Sequence, residues 1–113
     1  MSETLEVSAA YAEIIEPRLR AVSALCRRLD VTRLDVFGSV VTEQFDPQRS
    51  DLDFLVAFAP LPPGQYATAC FELRTGLERL FGRRIDLLTE AALANPYLRR
   101  QIESEKRCLY PPP

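Results

Sequence analysis

Histidine is absent from this chain of 113 residues. That removes His-based general acid–base catalysis, Ser-His-Asp nucleophilic chemistry and zinc sites built on imidazole. An enzyme on this sequence has to run on carboxylates, hydroxyls, arginines or a bound metal. Cysteine is sparse too: Cys26, Cys70 and Cys108 are odd in number and far apart, with no C-x-x-C pair. Each falls at an apolar position of a predicted helix, so buried free thiols are expected. No apolar run approaches the roughly 20 residues that span a bilayer. The acidic start, Met1 to Glu6, lacks the basic and apolar regions of a signal peptide. The expectation is a cytoplasmic chain with no membrane contact. A strong excess of either charge is also missing: 14 Lys and Arg against 16 Asp and Glu leave a net charge of −2. Direct nucleic-acid binding is therefore not expected. Repeats and internal linkers are lacking as well.

An apolar fraction of 47% beside 27% charged residues suits one folded domain over 1–113. Residues 1–8 and 111–113 are expected to be frayed. Apolar residues at Tyr11, Ile15, Leu19, Val22, Cys26 and Leu29 recur in steps of three or four, one face of a helix that Pro17 kinks or restarts. Arg18, Arg20, Arg27 and Arg28 read as its solvated face. Leu34 to Phe37 forms a strand ended by Gly38-Ser39, and Val40 to Glu43 suits one helical turn. Asp51 to Phe58 forms a second strand. Tyr66, Cys70, Leu73, Leu77 and Leu80-Phe81 mark a helix, with Gly82 as its cap. Arg84 to Leu88 is a third strand, and Thr89 precedes a short helix. Asn95-Pro96 is an N-cap with proline in the first turn, opening a last helix that runs to about Cys108. Tyr97 reads as core on that helix. The implied fold class is α+β, a small mixed sheet of three to four strands flanked by helices.

Asp51 and Asp53 are one residue apart in a strand, so their side chains share a face while Leu52 and Phe54 take the other. Asp53 lies in an otherwise apolar strand, and Asp86 repeats the pattern among Ile85, Leu87 and Leu88. A salt bridge from Asp86 to Arg83 or Arg84 is the plain explanation. The alternative is that strand three lies beside strand two and brings three carboxylates to one point. Such a group repels itself unless a cation lies between, and oxygen-only ligands suit Mg²⁺ or Mn²⁺. Two such ions could clamp an in-line phosphoryl displacement. Gly38 lets backbone approach a ligand, Ser39 adds a hydroxyl, and the following N–H groups suit phosphate.

Gly38-Ser39, eleven residues, Asp51-Leu52-Asp53 and the later Asp86 together resemble the signature of the DNA polymerase β-like nucleotidyltransferase superfamily. The loop from Phe45 to Asp51, the segment Arg84 to Thr89 and the ending Asn95 to Arg100 through Leu109-Tyr110 are similar to its minimal nucleotidyltransferase (MNT) branch. The resemblance spans about residues 20 to 110. It implies that Asp51 and Asp53 ligate Mg²⁺, that Asp86 completes a metal site and helps deprotonate the acceptor hydroxyl, and that Gly38 and Ser39 hold the nucleotide triphosphate. It further implies the antitoxin of a HEPN toxin, transferring AMP from ATP to a toxin tyrosine. Members often carry Arg-Gly shortly after Gly-Ser, where this chain has Thr42-Glu43. That departure motivates a second reading, a binding module that blocks its toxin sterically. A third is nucleotide transfer to a small molecule. Arg99 and Arg100 on the last helix are candidates for phosphate or partner contact beside their plain reading as solvated charges.

Overall fold

The computed structural model describes residues 7–112. Of the ends expected to be frayed, residues 1–6 and 113 lie outside the described residues. Ser8, just inside, is buried: its hydroxyl donates to the Val40 carbonyl and accepts from the Tyr11 N–H at 3.0 Å.

A π-helical turn at Tyr11–Ile15 and a 3-10 turn at Glu16–Arg18, with Pro17 in its first turn, lead into α1, Leu19–Arg28. Strand β1, Val31–Phe37, starts three residues before the predicted Leu34. Then come α2 (Ser39–Thr42), β2 (Leu52–Phe58) and α3 (Gln65–Phe81). Gly82 closes α3 at φ +64°, its N–H donating to the Glu78 carbonyl at 2.8 Å, as a left-handed cap does. Strand β3 (Ile85–Thr89), a 3-10 turn (Glu90–Ala92), α4 (Pro96–Glu105) and β4 (Arg107–Tyr110) complete the order. The Asn95 side chain caps α4, accepting from the Tyr97 N–H at 2.8 Å.

The sheet order is β3-β2-β1-β4. β1 runs antiparallel to both β2 and β4, and β2 runs parallel to β3. One face carries Leu34, Val36, Leu52, Phe54, Val56 and Ile85 against the buried stripes of α1 and α3. Gly76 lets those helices meet closely, since a Cβ there would lie 2.8 Å from both Leu25 methyls. The other face carries a smaller cluster of Phe37, Leu55, Leu93 and Ile102 under α4.

Four expectations change. The chain after Glu105 is strand rather than helix, because the free edge of β1 takes it as a partner. Cys108 accordingly sits on β4, half-buried, and Cys70 is only half-buried on α3; Cys26 alone is fully buried. Tyr97 is 77% exposed, not core, because α4 buries only Ile102. Arg18 is not merely solvated: its Nε donates to the Leu80 carbonyl at 3.0 Å near the end of α3, and its guanidinium lies 5.6 Å from the Phe81 ring centroid.

Candidate active site

The pairing that builds the sheet also gathers the polar motifs. Phe37, the last residue of β1, pairs with Asp53 near the start of antiparallel β2. The turn that follows Phe37 therefore lies beside the first residues of β2. Parallel β3 sets Asp86 opposite Asp53. Asp51, directly before β2, joins them, while Leu52 and Phe54 enter the core as their alternation requires. Gly38-Ser39, Asp51, Asp53 and Asp86 thus come together where the end of β1 meets the starts of β2 and β3.

Gly38 is tied to this arrangement by its missing side chain. Its φ of +84° and ψ of −153° lie in a region essentially reserved for glycine. A Cβ at this position would overlap Asp53 Oδ2. Backbone of the Gly-Ser turn and carboxylate of the D-x-D motif are consequently in direct contact. The Val41 N–H closes the turn onto the Gly38 carbonyl at 3.0 Å. The Ser39 hydroxyl has no hydrogen-bond partner among the described residues.

Burial pushes the Asp53 carboxyl up to about 6, with further upward pressure from the charges of Asp86, Asp51 and Glu105. Among the described residues, none of the side chains of Asp51, Asp53 and Asp86 has a salt-bridge or hydrogen-bond partner. The salt bridge that offered a plain explanation for Asp86 does not form. Asp86 is exposed on edge strand β3 rather than buried. Arg83 turns away to the preceding loop, donating to the Pro47 and Ser50 carbonyls at 3.3 and 3.4 Å and lying 4.8 Å from the Phe45 ring centroid.

This donor set suits a hard divalent cation in chemistry: oxygen only, anionic and uncompensated. It is not a closed cage. Among the described residues no group of three or more His, Cys, Asp or Glu side chains is already arranged to hold a metal ion.

Sequence reasoning missed Glu105 and Asp35. Glu105 Oε1 accepts from the Gly38 N–H at 2.9 Å, placing a fourth carboxylate beside the turn. It ends an exposed helix, and nothing in its spacing sets it apart. Asp35 is 1% exposed in the middle of β1, held by Arg33 Nε at 3.0 Å and Lys106 Nζ at 3.8 Å. Its signal was available, a lone charge between Leu34 and Val36, as for Asp53. Arg99, considered for phosphate contact, is instead tied to Glu90 at 3.0 Å and to the Leu93 carbonyl at 3.0 Å.

The family profile described as nucleotidyltransferase domain matches residues 19–109. A Methanocaldococcus jannaschii protein named "Putative protein adenylyltransferase" is 32% identical over 81 residues, covering 72% of this chain and 79% of its own. A solved structure of a "putative minimal nucleotidyltransferase" superposes with a TM-score of 0.67 at 39% identity, over 84% of this chain and 92% of that one. A tri-AMPylated Shewanella oneidensis HEPN toxin in complex with MNT antitoxin matches at a TM-score of 0.57 and 21% identity, over 84% and 71% of the two chains, a likeness of fold.

Proposed function

This chain belongs to the nucleotidyltransferase-domain family, and from that premise we propose that it is a Mg²⁺-dependent protein adenylyltransferase, the antitoxin that moves AMP from ATP to a tyrosine hydroxyl of a HEPN-type toxin. The observation that carries the reading is the contact of Gly38 with Asp53, which sets the backbone of the Gly-Ser turn against carboxylates that have no cationic partner among the described residues. The partner is supported by the likeness to a toxin complex with MNT antitoxin and the activity by the adenylyltransferase name of the relative from Methanocaldococcus jannaschii.

The triphosphate lies along Gly38-Ser39, where the Ser39 hydroxyl, without a partner among the described residues, donates to a phosphate oxygen. Asp51 and Asp53 would hold Mg²⁺, or Mn²⁺ on the same donors, with Asp86 completing the set. When bound, the ion offsets the charge of phosphates and carboxylates together and stabilises the charge that develops on the leaving group. Asp86, the exposed acid of the three, takes the proton of the incoming hydroxyl. The hydroxyl oxygen bonds to the α-phosphorus as the bond to the bridging oxygen breaks, and pyrophosphate leaves.

Incubation of the chain with α-labelled ATP, Mg²⁺ and a small helical HEPN partner should transfer label to the partner, and Asp53→Asn should abolish the transfer. Label transfer that survives Asp53→Asn would sink the mechanism.

A second reading is a steric antitoxin without turnover. Thr42-Glu43 favours it, since it places an acid close behind the Gly-Ser turn, where the triphosphate would lie. Under that reading Asp53→Asn still neutralises the toxin in co-expression; loss of neutralisation rules it out.

A further inference from the structure

Glu105 is the last residue of α4, a helix that buries only Ile102. It lies 67 residues along the chain from Gly38, yet its Oε1 accepts from the Gly38 N–H at 2.9 Å. Gly38 is the most permissive residue the backbone offers, held where few conformations are populated. A glycine in that state needs an outside contact to stay there. The N–H bond to Glu105 is one such contact, and the packing of Asp53 Oδ2 against its Cα is the other. Glu105 and Asp53 therefore grip the same residue from α4 and from β2.

Holding a carboxylate there is costly, because it adds a charge to a region that already contains Asp51, Asp53 and Asp86 without a cationic partner among the described residues. A neutral acceptor would make the same hydrogen bond without that repulsion. The contact also gives the C-terminal end of α4 a second anchor besides Ile102.

We propose that Glu105 is a positioning residue for the nucleotide: through its hydrogen bond to the Gly38 N–H it locks the Gly-Ser turn against Asp53, so that the phosphate-binding backbone is preset before nucleotide arrives. This rests on the nucleotidyltransferase reading above. The hydrogen bond, rather than the negative charge, performs the role.

The test compares the full chain with Glu105→Ala and Glu105→Gln by amide hydrogen exchange and by Mg²⁺–ATP titration. Glu105→Ala should lose protection at the Gly38 amide while central β1 and β2 amides keep theirs, and should bind Mg²⁺–ATP about tenfold more weakly. Glu105→Gln retains an acceptor oxygen and should restore both the Gly38 protection and the affinity. Equal loss in the Gln and Ala variants would overturn the proposal in favour of a charge role, as would tighter binding in both, which marks Glu105 as a competitor of phosphate. An unchanged Gly38 amide in Glu105→Ala overturns it directly. A wild-type chain that binds no Mg²⁺–ATP, with Gly38 still protected by Glu105, overturns the nucleotidyltransferase reading and reduces the contact to part of the fold.

Discussion

Gly38 and Glu43 flank α2, both at positive φ, +84° and +67°. The first position is filled by the residue it requires. Gly38→Ala adds a Cβ that collides with Asp53 Oδ2 and pays backbone strain, so a loss of roughly 2 kcal/mol or more is expected, together with loss of nucleotide binding. Glu43 is the mismatch. It adopts a left-handed conformation that favours glycine, and Glu43→Gly should raise stability by about 0.5–1 kcal/mol. Thermal denaturation of the two variants checks both signs; a stabilising Gly38→Ala would overturn the account of the turn. The position where the resemblance led one to look for Arg-Gly is thus a position whose backbone asks for glycine. At this scale Asp53 and Asp86 drew notice as candidates because a charge in an apolar strand is anomalous in any sequence, and Asp51 because its spacing of two sets it on the face of Asp53. Glu105 was not, since its role exists only once α4 is folded back beside β1.

Elements were read well where local chemistry decides them. Asn95-Pro96 starts a helix by its own capping bond and Gly82 ends one by its left-handed φ. The end of the chain shows the limit. Ile102 and Leu109 are seven residues apart, a spacing that fits two helical turns, yet Lys106 is extended at ψ 149° and residues 107–110 pair with β1. Periodicity cannot see the unpaired edge of β1, whose backbone groups gain ladder hydrogen bonds only if that segment becomes a strand. Cysteine chemistry reports the difference. Burial alone pushes the Cys26 thiol on α1 up to about 12, and burial also raises Cys70, against the lowering influence of Arg74. Because the thiolate is the nucleophile, Cys26 at pH 8 stays protonated and should be inert to a thiol reagent until the protein unfolds. Cys108, half-buried on edge strand β4, should react in the native state. Mass mapping after brief alkylation checks this; prompt native labelling of Cys26 would contradict the packing of α1.

At the scale of the molecule, the sheet separates two tasks. Its large core face holds α1 and α3, while the ends of its strands on one side collect carboxylates that repel one another. A ligand that binds only the folded state stabilises it in proportion to RT ln(1 + [L]/Kd). Divalent metal with a non-hydrolysable ATP analogue, in large excess over its dissociation constant, should therefore raise the melting temperature by roughly 5–10 °C for a domain of this size. Asp53→Asn removes a half-buried charge that Asp86, Asp51 and Glu105 repel and a proposed metal ligand at once. In chelator near neutral pH it should melt at or above the wild type, and on adding metal and nucleotide it should gain little. The crossing of the two responses is the diagnostic, because a purely structural Asp53 would leave the variant less stable under both conditions. Equal ligand-induced shifts in both proteins would show that nucleotide and metal bind away from the strand ends where β1, β2 and β3 bring Gly38, Asp53 and Asp86 together.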